Sequence, residues 1–407
     1  MIKLSPREKR RKTPTRASAA RGRPKAALVT AITAVTLALA SVAFAAPAAS
    51  ATASASIPVT ARTAASVPAV VKADMNTLYQ FLDPVSGLIG GSWWQAAVAL
   101  STIETYQQTT GDRSFEHAFL YAFSRNNSGA HFENNFDDDT AWWGLAWLQA
   151  YAITRYGPYL DTAEDIAGYI HGDWDNACGG GVWWQRSPHK AKNAIANELF
   201  LELTAWLYNT THIKMYRTWA IKEWDWFDGS KMITKSYLVH DGLPDSQYSN
   251  PQCGDGSIAT NYYTYNQGVI LAGLAQLYKA TGKRTYLTEA LDIANAATNP
   301  KNKLVVNNVL TEPTCKPGKN CGGDAESFKG IFVRNLKVLA VIANTTRYNK
   351  FFIAQAQSIE KKDTASHPAN RLGMFWAGPL EDLTTYSQAS ALDALVASLD
   401  LPKGLPG

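Results

Sequence analysis

Three successive aspartates, Asp137-Asp138-Asp139, precede Thr140-Ala141-Trp142-Trp143 and carry the strongest chemical signal in this 407-residue chain. Neighbouring like charges repel one another and stabilise nothing by themselves. Three readings of the run compete. Acids in a first helical turn complement the macrodipole, and one of them can cap the helix, worth about 0.3–1 kcal/mol. An oxygen-rich cluster can chelate a cation. Two neighbouring carboxyls, Asp138 and Asp139, can also flank a glycosidic bond, one protonating the leaving oxygen while the other attacks the sugar or activates water. Adjacent side chains at a helix start diverge by about a third of a turn and so face one sugar from different sides. Close like charges push the two pKa values apart, leaving one group protonated and one ionised. Such a pair titrates as a unit, so charge alone does not assign the two roles.

The company of the run favours chemistry on sugars. Aromatic, amide and charged residues gather in a few connections: Trp93 and Trp94, Trp142 and Trp143, Trp183 and Trp184, Asn193 and Asn197, Tyr265-Asn266-Gln267, Asp324, Phe328 and Lys329, and Trp376. Pyranose rings stack their C–H faces on aromatic surfaces, and their hydroxyls need amides and carboxylates. These residues are the candidate substrate contacts, with about half of the seven tryptophans expected to touch ligand. Trp147, Trp206, Trp219, Trp224 and Trp226 are assigned to packing, since aromatics bury large areas. The seven histidines show no metal spacing, and nucleophilic-serine, phosphate-loop and dinucleotide patterns are absent, so no metal or cofactor is expected.

The elements that must position these residues are legible from a repeat. Tyr151, Thr154, Tyr159 and Ala163 recur at identical spacing as Tyr208, Thr211, Tyr216 and Ala220, and as Tyr278, Thr281, Tyr286 and Ala290. Looser copies run through Tyr106, Thr110, Phe115, Ala118 and through Thr346, Phe351, Ala354. Each copy reads as a helix end, a short turn and the next helix start. Apolar spacing then predicts helices at 66–83, 91–109, 113–125, 138–155, 159–172, 191–209, 213–228, 263–280, 284–297, 325–344, 347–361 and 384–400. Helices 138–155, 191–209, 263–280 and 325–344 are apolar around most of their circumference and should be buried, whereas 159–172, 284–297 and 347–361 carry polar stripes. Six buried and six half-exposed helices predict an all-α chain folded as an (α/α)6 barrel of six hairpins, with an open solenoid as the alternative. In the barrel, the connections from outer to inner helices collect at one mouth, and the candidate residues sit in those connections. Short strand pairs are expected only near 231–240 and 302–311.

The chain ends set the context. Residues 1–25 hold ten Lys or Arg and one Glu, which leaves the remainder acidic by four charges and excludes a basic nucleic-acid footprint. That basic segment, the apolar run from Ala26 and the small-x-small site Ala43-Phe44-Ala45 predict an export signal over 1–45. An uncleaved anchor is the rival reading, because about 20 apolar residues span a bilayer. Residues 46–65, rich in Ala, Ser and Thr, are expected to be a flexible segment, and 66–402 a single catalytic domain, monomeric and free of the membrane once the signal is cut. Export permits disulfides. Of the three pairings open to four cysteines, Cys315–Cys321 with Cys178–Cys253 is the first choice, and a zinc site lacks the C-x-x-C or neighbouring His it would need.

Taken with the hairpin repeats, five motifs in order resemble glycoside hydrolase family 76, the α-1,6-mannanases. They are Asp138-Asp139-Thr-Ala-Trp142-Trp143-Gly-Leu-Ala, Gly179-Gly-Gly-Val-Trp-Trp184, Lys192-Asn193-Ala-Ile-Ala-Asn197-Glu198-Leu-Phe, Thr264-Tyr265-Asn266-Gln267-Gly268, and Phe328-Lys329-Gly330-Ile-Phe-Val-Arg334-Asn335-Leu, within a likeness covering residues 70 to 400. The resemblance implies an (α/α)6 barrel and endo-acting, retaining cleavage of α-1,6-mannan, with Asp138 as nucleophile and Asp139 as acid/base. Asp137 stands outside the motif. Relatives in fungal cell walls act as transglycosidases and carry a C-terminal lipid-anchor signal; this chain ends without an apolar tail, so a soluble, secreted hydrolase is expected. A catalytically weak sugar-binding barrel and a metal-dependent cyclase are the rivals, the cyclase disfavoured by the export signal and the amide-rich mouth.

Overall fold

The computed structural model describes residues 69–129, 131–243, 249–319, 321–365 and 370–404. The expected export signal and the Ala/Ser/Thr-rich segment lie outside the described residues. Among the described residues are twelve α-helices, one for each segment anticipated from periodicity. Six of them, α2 (Trp93–Thr110), α4 (Asp137–Thr154), α6 (Ala194–Thr211), α8 (Thr264–Thr281), α10 (Ala325–Ile342) and α12 (Thr385–Ala397), pack each on the next, and α12 returns to α2. The ring is therefore closed, and the chain is an (α/α)6 barrel rather than an open solenoid. The outer layer is α1 (Ala69–Tyr79), α3 (His117–Asn126), α5 (Gly157–His171), α7 (Lys214–Gly229), α9 (Arg284–Ala297) and α11 (Asn349–Lys362). Here α1 packs on α12, the helix farthest from it in sequence.

The repeated threonine explains the inner-to-outer turns. Thr154, Thr211 and Thr281 each return a hydroxyl hydrogen bond to the carbonyl four residues back (2.8, 2.9 and 2.7 Å). Each hydroxyl also accepts the backbone N–H two residues on, at 3.2 Å. Between those bonds the chain passes through a left-handed residue, Arg155, His212 or Gly282, whose N–H closes the helix on Tyr151, Tyr208 or Tyr278. The following Tyr159, Tyr216 and Tyr286 then bury against the barrel, and Ala163, Ala220 and Ala290 let the outer helix approach closely.

Short strands are few. The pair anticipated near 302–311 exists as Val305–Val306 with Val309–Leu310, turned through Asn307 and Asn308, both at positive φ. Around 231–240 there is only a single bridge, Ile233 to Val239. A hairpin not anticipated, Gln185–Arg186 with His189–Lys190, forms beside the mouth. Helix α6 starts three residues later than expected because Asn193 caps it, accepting from the Ala196 N–H at 3.3 Å. Helix α3 starts at His117 rather than 113, after Arg113 and Glu116 pair side chain to side chain.

Inner helices touch through small residues. A Cβ on Gly268 would stand 2.5 Å from the Cα of Phe332, a backbone atom with no room to yield. Gly268→Ala should therefore destabilise the protein by roughly 1–3 kcal/mol, read as a lowered denaturant midpoint. The barrel also buries carboxyls, and Arg334 near Glu202 and Lys192 and Lys222 near Glu223 only partly offset the cost. Among the described residues neither Glu198 oxygen has a hydrogen-bond partner. Burial, then the nearby Asp241 and Glu202 charges, holds its pKa well above the usual range, while burial pushes Glu202 and Glu223 up to about 8. A carboxyl raised on folding favours the folded state while protonated, and that advantage is lost as the unfolded chain ionises. Stability should thus fall as pH rises from about 4.5 towards 8. Glu198→Gln should raise the melting midpoint at pH 8 and change it little at pH 4.5.

Candidate active site

The first turn of α4 carries all three aspartates, yet none of them caps it. Phe136 is the N-cap residue and makes no side-chain capping bond. Instead Asn134 organises the entry: its carbonyl accepts the Phe136 N–H at 2.8 Å and its amide donates to Asp139 Oδ2 at 2.8 Å. The simple capping explanation therefore does not account for the run. Asp137 turns away from the mouth and is fully buried, with Oδ1 held by Arg186 at 2.8 Å. The guanidinium of Arg186 lies 3.8 Å from the centre of the Tyr169 ring. The extra aspartate is thus a brace for the Gln185–Lys190 hairpin.

Asp138 and Asp139 face a cleft of about 720 Å³ at the N-terminal end of the inner ring. Its walls include Trp94, Trp142 and Trp184, Asn193, Tyr265, Asp324 and Phe328. Trp184 donates its indole N–H to Asp138 Oδ2 at 3.0 Å, while Asp138 Oδ1 is buried without a partner. Opposite, Trp94 stacks on Trp142 with centroids 5.9 Å apart and donates to Asp324 at 3.3 Å. Tyr265 stacks on Phe328 at 3.9 Å. Aromatic faces and polar edges therefore alternate around the two carboxyls, the pattern a sugar chain requires.

Burial raises both carboxyls of the pair. Asp139 is pushed up to about 6, by burial first and by the Asp324 charge, against the stabilising Asn134 amide. Burial, then the Asp139 charge, holds Asp138 well above the usual carboxylate range. The two raised, adjacent carboxyls titrate as a unit, and each disfavours ionisation of the other.

The remaining sequence candidates stand behind the cleft wall, where they shape it. Asn197 and Gln267 are fully buried and do not line the cleft. Each grips a loop peptide by both ends: Asn197 accepts the Val182 N–H at 2.7 Å and donates to the Val182 carbonyl at 3.2 Å, and Gln267 does the same to Val239 at 2.8 and 2.8 Å. Lys192 is likewise buried, donating to the carbonyls of Ala177, Gly180 and Gly181. Lys329 donates to the Met374 carbonyl and lies 4.4 Å from the Trp376 ring centre. Trp183 and Trp376 are buried, Trp183 donating to Asp175 at 3.0 Å. Trp93 and Trp143 pack on each other and on Phe132. Three of the seven tryptophans, Trp94, Trp142 and Trp184, line the cleft.

Sequence reasoning missed a second acidic pair in the same wall. Asp241 and Asp255 both line the cleft, and Asn266 donates to Asp241 at 2.9 Å. Asp241 is pushed up to about 8 by burial, then by its hydrogen bond to Asp255 and the charges of Asp255 and Asp138. The two lie in a loop without a periodic signal; only Cys253, two residues before Asp255, marked it. Disulfides join Cys178 to Cys253 and Cys315 to Cys321, the latter beside the wall residues Thr314 and Gly322. Among the described residues no three His, Cys, Asp or Glu side chains converge as metal ligands, so the cation reading finds no ligand set.

A closed double ring of helices with an acidic pair at the mouth defines a glycosidase-type barrel, and comparison with known proteins names the family. The chain belongs to glycosyl hydrolase family 76, whose family model matches residues 63–403. It is 26% identical over 333 residues to the mannan endo-1,6-alpha-mannosidase DFG5 of Candida albicans, covering 76% of this chain and 73% of that one. It is 27% identical over 255 residues to the same organism's mannan endo-1,6-alpha-mannosidase DCW1, covering 59% and 55%. The chain thus spans little more than half the length of some of the relatives it matches. Its fold is shared with the alpha-1,6-mannanase GH76A of Salegentibacter sp. HEL1_6 (TM-score 0.71, 23% identity, 81% of this chain and 98% of that one). An inactive variant of that enzyme, with two successive aspartates replaced by asparagine, was solved in complex with alpha-1,6-mannotriose.

If the pair works with one proton, activity should rise as pH increases through about 6, where Asp139 ionises in the free protein. Asn134→Ala removes the donor that favours the Asp139 carboxylate, so the acidic limb of the kcat/KM profile should move to higher pH. A limb that stays in place would show that Asp139 does not set it.

Proposed function

We propose that this protein is a secreted endo-α-1,6-mannanase that cleaves linear mannan by a retaining, two-step mechanism. The observation that carries this reading is the Asp138–Asp139 pair: adjacent carboxyls of raised pKa, inside an aromatic-walled cleft, in a family 76 chain. Trp94, Trp142 and Trp184 supply stacking surfaces, and Asn193 and the Asp241–Asp255 pair supply partners for hydroxyls.

Following the family motif, Asp138 attacks the anomeric carbon while Asp139 protonates the leaving oxygen; Asp139 then takes the proton from the water that releases the glycosyl-enzyme. The assigned roles need Asp138 ionised and Asp139 protonated once the sugar fills the site. The Trp184 N–H is placed to stabilise the ionised Asp138. Asp137, tied to Arg186, takes no part in bond making. Secretion rests on the basic and apolar N-terminal segment; among the described residues no helix is long and apolar enough to cross a membrane.

Asp138→Asn and Asp139→Asn should each lower kcat on linear α-1,6-mannan by roughly 10²–10⁴-fold or more, while α-1,6-mannotriose still binds in calorimetry and the fold is kept. Near-normal turnover in either variant would overturn the dyad. NMR of the first-formed anomer tests retention, and chromatography of products on mannotetraose separates hydrolysis from transfer to a second sugar.

A further inference from the structure

The barrel has a second cavity, at the opposite end from the cleft. It holds about 470 Å³ between the C-terminal halves of the inner helices, within the range of small-ligand pockets. Trp142, Gln149, Glu202, Trp206, Gln276 and Arg334 line it. Trp206, expected from sequence to be core, is only half-buried here.

The lining is built rather than incidental. Glu202 is 6% exposed, and its Oε2 is buried without a hydrogen-bond partner among the described residues. Gln149 and Gln276 are 9% and 8% exposed, and their side chains are anchored by Thr105 at 3.1 Å and Asn209 at 3.0 Å. Arg334 is held at Nη1 by Asp393 (3.1 Å) and the Val98 carbonyl (3.2 Å). A carboxyl oxygen left without a partner in so buried a place is costly unless something else bonds it.

The chemistry of the wall selects a ligand class. The guanidinium is already matched by Asp393, and the other charged lining residues, Lys279 and Lys337 against Glu202 and Asp400, are of both signs, so the wall does not single out an anion. It offers the indoles of Trp142 and Trp206, the anchored amides of Gln149 and Gln276, and the carboxyl of Glu202. A pyranose uses that combination, with its C–H face on the ring and vicinal hydroxyls on amide and carboxyl. We propose that this cavity is a second carbohydrate site, taking a neutral mono- or disaccharide stacked on Trp206 and held by Glu202, Gln149 and Gln276. Trp142 contributes to the walls of both this site and the cleft. The proposal does not rest on the mannan reading of the cleft.

The test uses the full Asp138→Asn chain, which keeps the disaccharide intact, with α-1,6-mannobiose as probe in calorimetry and saturation-transfer NMR. Two classes of site are expected. Trp206→Ala and the isosteric Glu202→Gln should each weaken one class by roughly tenfold or more and leave the other unchanged, whereas Trp184→Ala should do the reverse. Wild-type kcat on mannotetraose should survive Glu202→Gln. Binding that neither Trp206→Ala nor Glu202→Gln alters, whether in one class of site or two, overturns the proposal. Loss of only the class sensitive to Trp184→Ala would count against the mannan reading and leave the second site standing.

Discussion

Buried side-chain amides that pair with loop backbones hold this molecule's working end together. Asn197 on α6 clamps Val182, Gln267 on α8 clamps Val239, and Gln388 on α12 accepts the Leu372 N–H at 2.8 Å while donating to the carbonyls of Asp74 and Asn370. Gln355 on the outer α11 does the same to the 308–310 turn. A loop peptide at a buried position must have both its N–H and its C=O satisfied, and a primary amide offers the complementary pair in one group. Each clamp replaces two rungs of a missing strand. The barrel can therefore carry long, irregular connections over its mouth without a sheet to support them.

That constraint orders everything built on the mouth. Val182 leads directly into Trp183 and Trp184, so the clamp from Asn197 sets where the Trp184 indole meets Asp138. Val239 leads into Asp241, so the clamp from Gln267 sets the second acidic pair. Lys192 gathers three carbonyls of the Ala177–Gly181 loop, and the Cys178–Cys253 bridge ties that loop to the segment carrying Asp255. Asp138 and Asp139 depend less on these clamps, because they sit in the first turn of α4. What the clamps fix is the aromatic and acidic wall around them.

The fold was legible because its signals are periodic. The Tyr–Thr–Tyr–Ala spacing is a turn mechanism repeated in sequence, and the all-round apolar character of α4, α6, α8 and α10 marked the inner ring before any coordinates. The site was legible in part. Asp138, Asp139, Trp94, Trp142, Trp184, Asn193, Tyr265, Asp324 and Phe328 were recognised by type and setting, and the cleft brings them together. Asn197, Gln267, Lys192 and Lys329 were found for a real reason, their polarity inside apolar helices. Composition does not tell whether a buried polar group reaches for a ligand or for the chain itself. Asp241 and Asp255 were invisible because an irregular loop has no period, and their meeting depends on a disulfide and a clamp distant in sequence.

Trp142 gives the barrel axis its character. The same indole walls the cleft on one side and the second cavity on the other, so the interior is two blind chambers sharing a partition rather than a bore. A smaller side chain there would enlarge both chambers at once. The acidic pair would then sit in a wetter cleft, and burial, the first cause of its raised pKa values, would weaken.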